Sequence, residues 1–284
     1  HLELADIPII DRAALVVLGN DDFLLSRLRD GASEAEIDDY VAWQVSAAGA
    51  LGVKCINAGG SAAFKADVRT FGFDDEVPGY GLSSRHIVKA LQDSVQRLGI
   101  AHPLHVHCNN LGVPGEGEAA AEATMLAAEG VPMHLAHIQF YGYGTDGRRG
   151  FSSQARRLAD LVNARPELTV DIGQVMFGQT VTISSDELRQ FAGRPLARPR
   201  KSAIIDGDAN GGGAVPMNYR RADYYNAMQW AIGLELFLMI DDPWRVFFTT
   251  DHPNGAPFTT YPDLFALLMS RDLRTEWLDA LPPG

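Results

Sequence analysis

The stretch Pro103–Asn110, PLHVHCNN, decides the fold, because it is a short apolar segment that carries two histidines and runs into a polar loop. A β-strand is predicted over Pro103–Cys108, and residues two apart on a strand point to the same face. His105 and His107 therefore share one face. An amphipathic helix is predicted before this strand, over Ser84–Gly99, and a helix rich in Ala and Glu is predicted after it, over Gly115–Gly130. A short strand between two helices is typical of a parallel β/α unit.

The same order of short apolar segment, loop and helix recurs along the chain. A helix is predicted over Ser33–Ala50, with Ser33 as N-cap and Glu36 as its capping-box partner, and another over Phe151–Ala164. Further strands are predicted over Gly52–Asn57, Met133–Phe140, Leu168–Ile172 and Arg245–Thr250. Short strands that alternate with helices indicate a parallel sheet, which is either closed into a (β/α)8 barrel or open and doubly wound.

The positions of the polar residues favour the barrel. They lie in the last turn of a predicted strand or just beyond it, and they are Lys54, His105 with His107, His137 and Asp251. Functional side chains at the carboxyl ends of several different strands are typical of barrel active sites. A doubly wound sheet usually has a G-x-G-x-x-G turn after its first strand, and the sequence contains none. We therefore predict a TIM-like barrel domain over residues 1–284, with an inserted, lid-like excursion at about 174–243.

The charge and the apolar pattern exclude two classes of partner. The chain has 24 Lys and Arg against 36 Asp and Glu, a net charge of −12, which repels nucleic-acid phosphates. The longest apolar stretch, Tyr224–Ile240, is interrupted by polar residues and predicts a buried helix rather than a membrane span. Cys55 and Cys108 fall in apolar segments, which indicates reduced thiols. With no signal-peptide pattern near residue 1, we predict a cytoplasmic protein that binds neither nucleic acid nor membrane.

Lys54 stands inside an apolar strand of a chain that has only four lysines. A buried lysine is costly unless it is paired, neutralised or chemically modified. Its amine can react with carbon dioxide to give a carbamate, an anionic oxygen ligand that can bridge two divalent metals. The alternative is a lysine that extends to the end of the strand and pairs with a carboxylate.

The histidines are candidate metal ligands. If the face that His105 and His107 share is the barrel interior, their imidazoles can reach one metal ion. The alternative is that one or both are core histidines bonded to the backbone. His137, near the end of the next strand, is a further candidate. His134 lies three residues earlier, so on a regular strand it points to the opposite face, and we expect a structural role for it.

Asp251 is predicted where the last strand stops. A carboxylate there can bind a metal and accept a proton from water, which is general-base chemistry. The alternative is a turn cap, because aspartate before a Pro-Asn-Gly turn is common. Its neighbour His252 either orients a substrate or packs against another side chain.

The order Lys, His, His, Asp on successive strands resembles the amidohydrolase superfamily, which uses it on barrel strands four, five, six and eight. Within that superfamily, the chain resembles the A-type subunit family of formylmethanofuran dehydrogenase, which also occurs in the bacterial formyltransferase/hydrolase complex. The segments that carry this resemblance are Gly52–Gly60 (GVKCINAGG), His105–Gly112 (HVHCNNLG), His134–Gly144 (HLAHIQFYGYG), Asp171–Gly178 (DIGQVMFG) and Thr249–Phe258 (TTDHPNGAPF).

The resemblance implies a zinc-dependent formamide hydrolase with two zinc ions in the full-length protein. Lys54 would be the carboxylated, bridging lysine. His107 and His137 would be the ligands from the fifth and sixth strands. Asp251 would be both a ligand from the eighth strand and the catalytic general base. This is the predicted metal site and catalytic residue.

The resemblance also implies residues around that site. His105 and His252 would be additional metal or site residues. Asn109, Asn110 and Asn254 would lie near the substrate. The superfamily's first-strand H-x-H, however, does not occur before Lys54. We therefore expect an N-terminally truncated barrel in which about strands three to eight are present.

The function implied is hydrolysis, or reversible formation, of the N-formyl bond of formylmethanofuran, which gives formate and methanofuran in one-carbon metabolism. The expected partners are a formyltransferase, other subunits of a hetero-oligomeric complex, and a furan-amine carrier as substrate. Two alternatives stay open. One is another cyclic amidohydrolase of the dihydropyrimidinase type, and the other is a non-catalytic scaffold subunit of the complex.

Overall fold

Six parallel strands form the central sheet of the computed structural model, which describes residues 11–68, 70–184, 205–206 and 213–282. These strands are β1 (Leu15–Val17), β2 (Gly52–Ile56), β3 (Leu104–His107), β4 (Met133–Leu135), β5 (Leu168–Gly173) and β6 (Val246–Thr249). Each strand pairs in parallel with the next one along the chain, and β1 and β6 are the two edges of the sheet.

The strand order decides between the two predicted architectures. A doubly wound sheet reverses its strand order at a switch point, whereas barrel strands follow one another in chain order. The order here runs without reversal from β1 to β6. The strand order therefore confirms the predicted TIM-like (β/α) barrel architecture, with Lys54 on β2.

Helices connect the strands and cover the sheet. They are α1 (Asp22–Arg29), α2 (Glu34–Ala48), α3 (Gly60–Lys65), α4 (Ser84–Arg97), α5 (Glu116–Leu126), α6 (Ala155–Asn163), α7 (Tyr224–Met239), α8 (Tyr261–Met269) and α9 (Arg271–Asp279). The predicted helices that precede β2, β3, β4 and β5 are thus all present. In the ranges that the structure describes, no helix is both long and apolar enough to cross a membrane.

The ends of α2 follow the predicted local chemistry. The Ser33 hydroxyl accepts a hydrogen bond from the backbone N–H of Glu36, and the Glu36 carboxylate accepts one from the backbone N–H of Ser33. This capping box satisfies amide groups that the first turn of a helix leaves without partners. The helix ends at Gly49, whose left-handed conformation (φ 57°) suits a residue without a side chain.

The apolar core lies between the sheet and its helices. On β3, Leu104 and Val106 are buried on this side, while His105 and His107 point to the other. Cys55 and Cys108 are free thiols within the core, and burial raises the pKa of each to about 12. The reduced state expected for both cysteines agrees with this position.

The strand β4 is shorter than predicted. It ends at Leu135 instead of continuing to Phe140, and a 3₁₀ turn follows over Ile138–Tyr141. His137 lies between them with a left-handed backbone (φ 35°), which breaks the alternation of a regular strand. The strand β1 and the helices α1, α3, α8 and α9 were not predicted from the sequence.

The long connection between β5 and β6 contains antiparallel strands and a helix. Gly178–Ser184 pairs with Gly213–Tyr219, which also pairs with Ile205–Asp206. Residues 185–204 and 207–212 of the predicted excursion lie outside the described residues. The helix α7 buries Trp230, as expected of a helix in the core. The role of this segment as a lid stays a prediction.

Two short antiparallel strand pairs lie outside the central sheet. They are Glu76–Val77 with Leu82–Ser83 and Tyr143–Gly144 with Ser152–Ser153.

Candidate metal centre and active site

A cavity of about 620 Å³ opens on the polar face of the sheet. Its lining comes from β2 to β6 and from residues next to the ends of these strands, some after the strand and some before it. The ionisable side chains that line it are Lys54, His102, His105, His107, His134, His137, Asp171 and Asp251. The sequence-predicted metal ligands Lys54, His107, His137 and Asp251 are therefore brought together in one cavity.

His107 and His137 form the closest pair in this group. The Nε2 atom of His137 lies 2.6 Å from the Nδ1 atom of His107, and the rings meet edge to face. The two remaining nitrogens, His107 Nε2 and His137 Nδ1, are buried and have no hydrogen-bond partner among the described residues. Buried polar atoms without a partner are rare in folded proteins, so a bound ion or molecule is expected at these two nitrogens. Histidine nitrogens are common ligands of a divalent cation such as zinc, so these two buried nitrogens are candidate metal ligands.

The protonation of His107 suits that role. Burial disfavours the imidazolium form, and the nearby His137 and Lys54 add positive charge, so the pKa of His107 lies well below its usual value. A neutral imidazole is the form that coordinates a metal. The pKa of His105 is likewise lowered, to about 3, by burial and by its neighbours His134 and Lys54.

Asp171 fixes the turn that aims His137 into the cavity. Its Oδ1 atom accepts a hydrogen bond of 2.6 Å from the backbone N–H of His137. A left-handed backbone costs a residue with a side chain about 1–2 kcal/mol, and this bond to a charged group offsets part of that cost. Because the turn breaks the strand alternation, His134 and His137 both face the cavity. The expectation that His134 faces away is therefore wrong, since β4 does not stay regular beyond Leu135.

The other oxygen of Asp171 contacts His134. Asp171 Oδ2 lies 3.0 Å from His134 Nε2, and the Thr169 hydroxyl lies 2.9 Å from His134 Nδ1. Burial raises the pKa of Asp171, but the His134 hydrogen bond and the charge of His137 outweigh this and lower it overall. The carboxylate is therefore ionised. Sequence reasoning missed Asp171, although Thr169 and Asp171 stand two apart on a buried strand, the same signal as the two histidines of β3.

Lys54 lies beside these groups with its ammonium unpaired. On β2, its Cα atom is opposite that of His105. No carboxylate within the described ranges forms an ion pair with it, although Asp251 and Asp171 act on it electrostatically. Burial lowers the pKa of Lys54 against the opposing effect of these two carboxylates. The alternative of an ion-paired lysine is thus not observed, and the amine is easier to deprotonate than an ordinary one.

Asp251 reaches the cavity from the turn after β6. Its Oδ2 atom accepts a hydrogen bond of 2.9 Å from Asn254 Nδ2. Opposite it, Gly173 ends β5, and a Cβ atom at that position would lie 2.7 Å from Asp251 Cβ and 3.0 Å from His137 Cβ. The absence of a side chain at Gly173 therefore allows the carboxylate and the imidazole to approach each other.

Four other predicted site residues lie around the cavity rather than in its lining. Asn109 donates a hydrogen bond of 2.7 Å to the Ser84 hydroxyl, and Asn110 accepts one of 2.9 Å from the backbone N–H of Phe71. The ring of His252 stacks on Phe258 at 4.0 Å between centroids. Asn254 acts on the cavity through Asp251. Substrate binding by the asparagines stays a prediction.

The fold and a match to a family model together identify the class of this protein. The amidohydrolase family matches residues 1–282, and the chain belongs to that family. A parallel sheet that collects lysine, histidines and aspartate at the carboxyl ends of its strands is the arrangement expected from the resemblance.

Individual relatives make the resemblance more specific. The chain is 52% identical over 287 residues to the A-type subunit of the formyltransferase/hydrolase complex Fhc of Methylorubrum extorquens, in a match that covers 99% of this chain and 52% of that one. It is 37% identical over 290 residues to protein FwdA of Methanocaldococcus jannaschii, with 98% and 50% covered. The crystal structure of the FhcABCD complex from M. extorquens with methylofuran matches with a TM-score of 0.91 and 52% identity, covering 99% of this chain and 52% of the matched chain. The predicted resemblance to the A-type subunit is confirmed, and the chain spans about half the length of these curated relatives.

Proposed function

We propose that this chain is part of an amidohydrolase subunit that hydrolyses, or reversibly forms, the N-formyl bond of a furan-amine carrier such as formylmethanofuran. The observation that carries the proposal is the convergence of Lys54, His107, His137 and Asp251 in one cavity. The relative of 52% identity is a subunit of a formyltransferase/hydrolase complex, and the similar crystal structure holds methylofuran.

The metal would be zinc, held by His107, His137, Asp251 and a carboxylated Lys54, with two ions in the full-length protein. The unpartnered ring nitrogens of the two histidines support this assignment. Zinc bound there would polarise the formyl oxygen and lower the pKa of the attacking water. The lowered pKa of Lys54 increases the fraction of neutral amine, whose lone pair can add to carbon dioxide and release a proton, giving the carbamate.

Asp251 supplies the proton transfers. Its carboxylate accepts a proton as the water oxygen bonds to the formyl carbon, and returns that proton to the carrier nitrogen as the C–N bond breaks. The products are formate and the carrier amine, which takes up the proton that formic acid releases. Asn254 holds Asp251 Oδ2 by its side-chain amide, which leaves the other carboxylate oxygen free to point to the substrate.

We further propose that the protein acts in the cytoplasm, within a hetero-oligomeric complex that contains a formyltransferase. In one-carbon metabolism such a partner would deliver formyl groups to the furan amine, and this site would release them as formate. The net charge of −12 gives no support to a nucleic-acid partner.

Formate release from N-formylmethanofuran by the complete complex tests the proposal, together with its zinc content by elemental analysis. Lys54→Ala should abolish both formate release and the carbamate carbonyl signal that ¹³C-bicarbonate gives in NMR spectra. The exposed Lys65 provides the matched control, because Lys65→Ala should leave both readouts unchanged.

Three outcomes would contradict the proposal. Full activity of Lys54→Ala would show that a carboxylated Lys54 is not needed for hydrolysis. Hydrolysis of cyclic amides in place of the formamide would favour the dihydropyrimidinase-like alternative. A complex without metal and without hydrolysis would favour a non-catalytic scaffold.

A further inference from the structure

A second group of metal-type ligands lies beside the His107–His137 pair. We propose that His105, His134 and Asp171 form a separate site for a first-row divalent cation, with zinc as the representative ion. One ligand atom from each of the three residues lies within 4.8 Å of the other two. This site uses none of the ligands of the proposed catalytic zinc, and the inference does not depend on the formamide reaction.

The backbone places the three side chains on one face. They come from the adjacent strands β3, β4 and β5, and the Cα atom of His105 lies opposite that of His134. His134 in turn lies opposite Thr169, two residues before Asp171. Because neighbours in register and residues two apart share a face, all three point to the same cavity. Ligands on paired strands are held more rigidly than ligands on loops.

The distances suit a small ion. Zinc binds histidine nitrogen and carboxylate oxygen at about 2.0–2.2 Å, so two ligand atoms on one ion lie at most about 4.4 Å apart. Atoms that already lie within 4.8 Å of one another need only a small inward movement of their side chains. Two imidazoles and one carboxylate are a common ligand set for zinc and for other first-row divalent ions.

The hydrogen bonds of the cluster also fit a cation. His105 Nδ1 is buried and has no hydrogen-bond partner in the described part of the chain. His134 uses Nδ1 to contact the Thr169 hydroxyl, which turns Nε2 towards Asp171. An outer hydrogen bond of this kind orients a metal-bound imidazole. A cation between His134 Nε2 and Asp171 Oδ2 would replace the proton that these two atoms share.

The new site is distinct from the His107–His137 pair but linked to it. The rings of His105 and His107 are 5.5 Å apart, whereas those of His105 and His134 are 4.7 Å apart. Asp171 connects the two groups, since its Oδ1 atom holds the backbone of His137. Occupation of the second site would therefore stiffen the turn that aims His137.

Zinc stoichiometry tests this proposal on the complete complex. The protein is stripped with a chelator and reloaded with zinc, and bound zinc is counted by elemental analysis. His105→Gln and His134→Gln should each lower bound zinc by one equivalent per chain. His107→Gln should remove a different equivalent, and the double variant His105→Gln with His107→Gln should lose both.

His102→Gln is the matched control. Its ring lies 5.8 Å from that of His105, but its Nδ1 atom contacts the backbone oxygen of Pro103, and the residue is not part of the cluster. It should bind as much zinc as the wild type. Cobalt substitution gives a second readout, because each cluster variant should lose one component of the visible cobalt spectrum and keep the other.

The outcomes separate this inference from the proposed function. Unchanged zinc and cobalt signals in both His105→Gln and His134→Gln would overturn the second site and leave the proposed function intact. Loss of the same equivalent in His105→Gln and His107→Gln would also overturn it, since only one site would then exist. Absence of formate release from the wild-type complex, with the cluster equivalent present, would count against the proposed function alone.

Discussion

The two faces of β3 share one backbone and have opposite chemistry. Leu104 and Val106 are buried among the apolar side chains that join the sheet to its helices. His105 and His107, which alternate with them, line the cavity and carry ring nitrogens without partners among the described residues. The apolar face stabilises the fold, and the polar face holds groups that a folded core would ordinarily exclude. The comparison predicts that stability and activity can be changed separately.

The largest effect is expected on the polar face. Asp251→Asn should lower formate release by about 10²–10⁴-fold, because an amide cannot accept the proton that a general base removes. Thermal unfolding should stay within a few degrees of the wild type. Asp263→Asn on the surface of α8 is the control, and an Asp251→Asn protein with normal turnover would refute the assignment of the base.

On the apolar face, Leu104→Ala should destabilise the chain by about 2–5 kcal/mol, because it leaves a cavity in the core. Denaturant unfolding measures this, and the folded fraction should keep its activity and its zinc. Leu278→Ala is the control, since that leucine is exposed on α9 and its loss should change stability by less than about 0.5 kcal/mol. A loss of zinc in folded Leu104→Ala would show that the two faces are not separable.

Gly173→Ala tests the close approach of Asp251 and His137 at the end of β5. The added methyl group would press on the Cβ atoms of Asp251 and His137, so we expect about 10²-fold lower activity from misplaced groups. Overpacking should also cost about 1–3 kcal/mol of stability. Gly79→Ala, at an exposed turn with nothing within 4 Å, should cost about 1–2 kcal/mol of stability because of its left-handed backbone (φ 82°) but leave activity unchanged. Normal activity in Gly173→Ala would show that the approach of Asp251 to His137 is not needed.

The two buried thiols should make the stability of the fold depend on pH in the alkaline range. The pKa of Cys55 and of Cys108 is raised from 9.0 to about 12 in the folded chain. The thiols of the unfolded chain therefore lose their protons at lower pH than those of the folded chain. The contribution of the buried neutral thiols to the free energy of unfolding is fully present below pH 9 and is lost as the pH rises towards 12. The loss should be about 1.4 kcal/mol per thiol for each pH unit in that range. Unfolding curves of the wild type and of Cys55→Ala should show a shallower decline in the variant.

The smallest effect is expected far from both faces. Ser33→Ala removes the N-cap of α2 and should cost about 1 kcal/mol of stability with no change in activity or zinc content. Ser33→Asp, which keeps an acceptor at the cap, should restore the stability. A lower activity in folded Ser33→Ala would contradict the separation of scaffold from site.

Much of the scaffold could be predicted because its signals are local. The capping box of α2 lies within four residues, and the strand β3 shows its alternation within its own length. The strand β1 was missed because three residues carry too little pattern to distinguish a strand from a loop. The strands Gly178–Ser184 and Gly213–Tyr219 were missed because their pairing joins distant parts of the chain.

The residues of the candidate site likewise include some that the sequence could predict and some that depend on contacts between distant parts of the chain. The sequence by itself determined which residue types stand at the strand ends, and so pointed to Lys54, His107, His137 and Asp251. Only the tertiary structure decided that His134 and His137 both face the cavity and that Asp171 contacts both, because strand register places His134 and Asp171 whereas a left-handed backbone places His137. That backbone is held by a carboxylate from a neighbouring strand, and a contact across 34 residues leaves no periodic signal in the sequence.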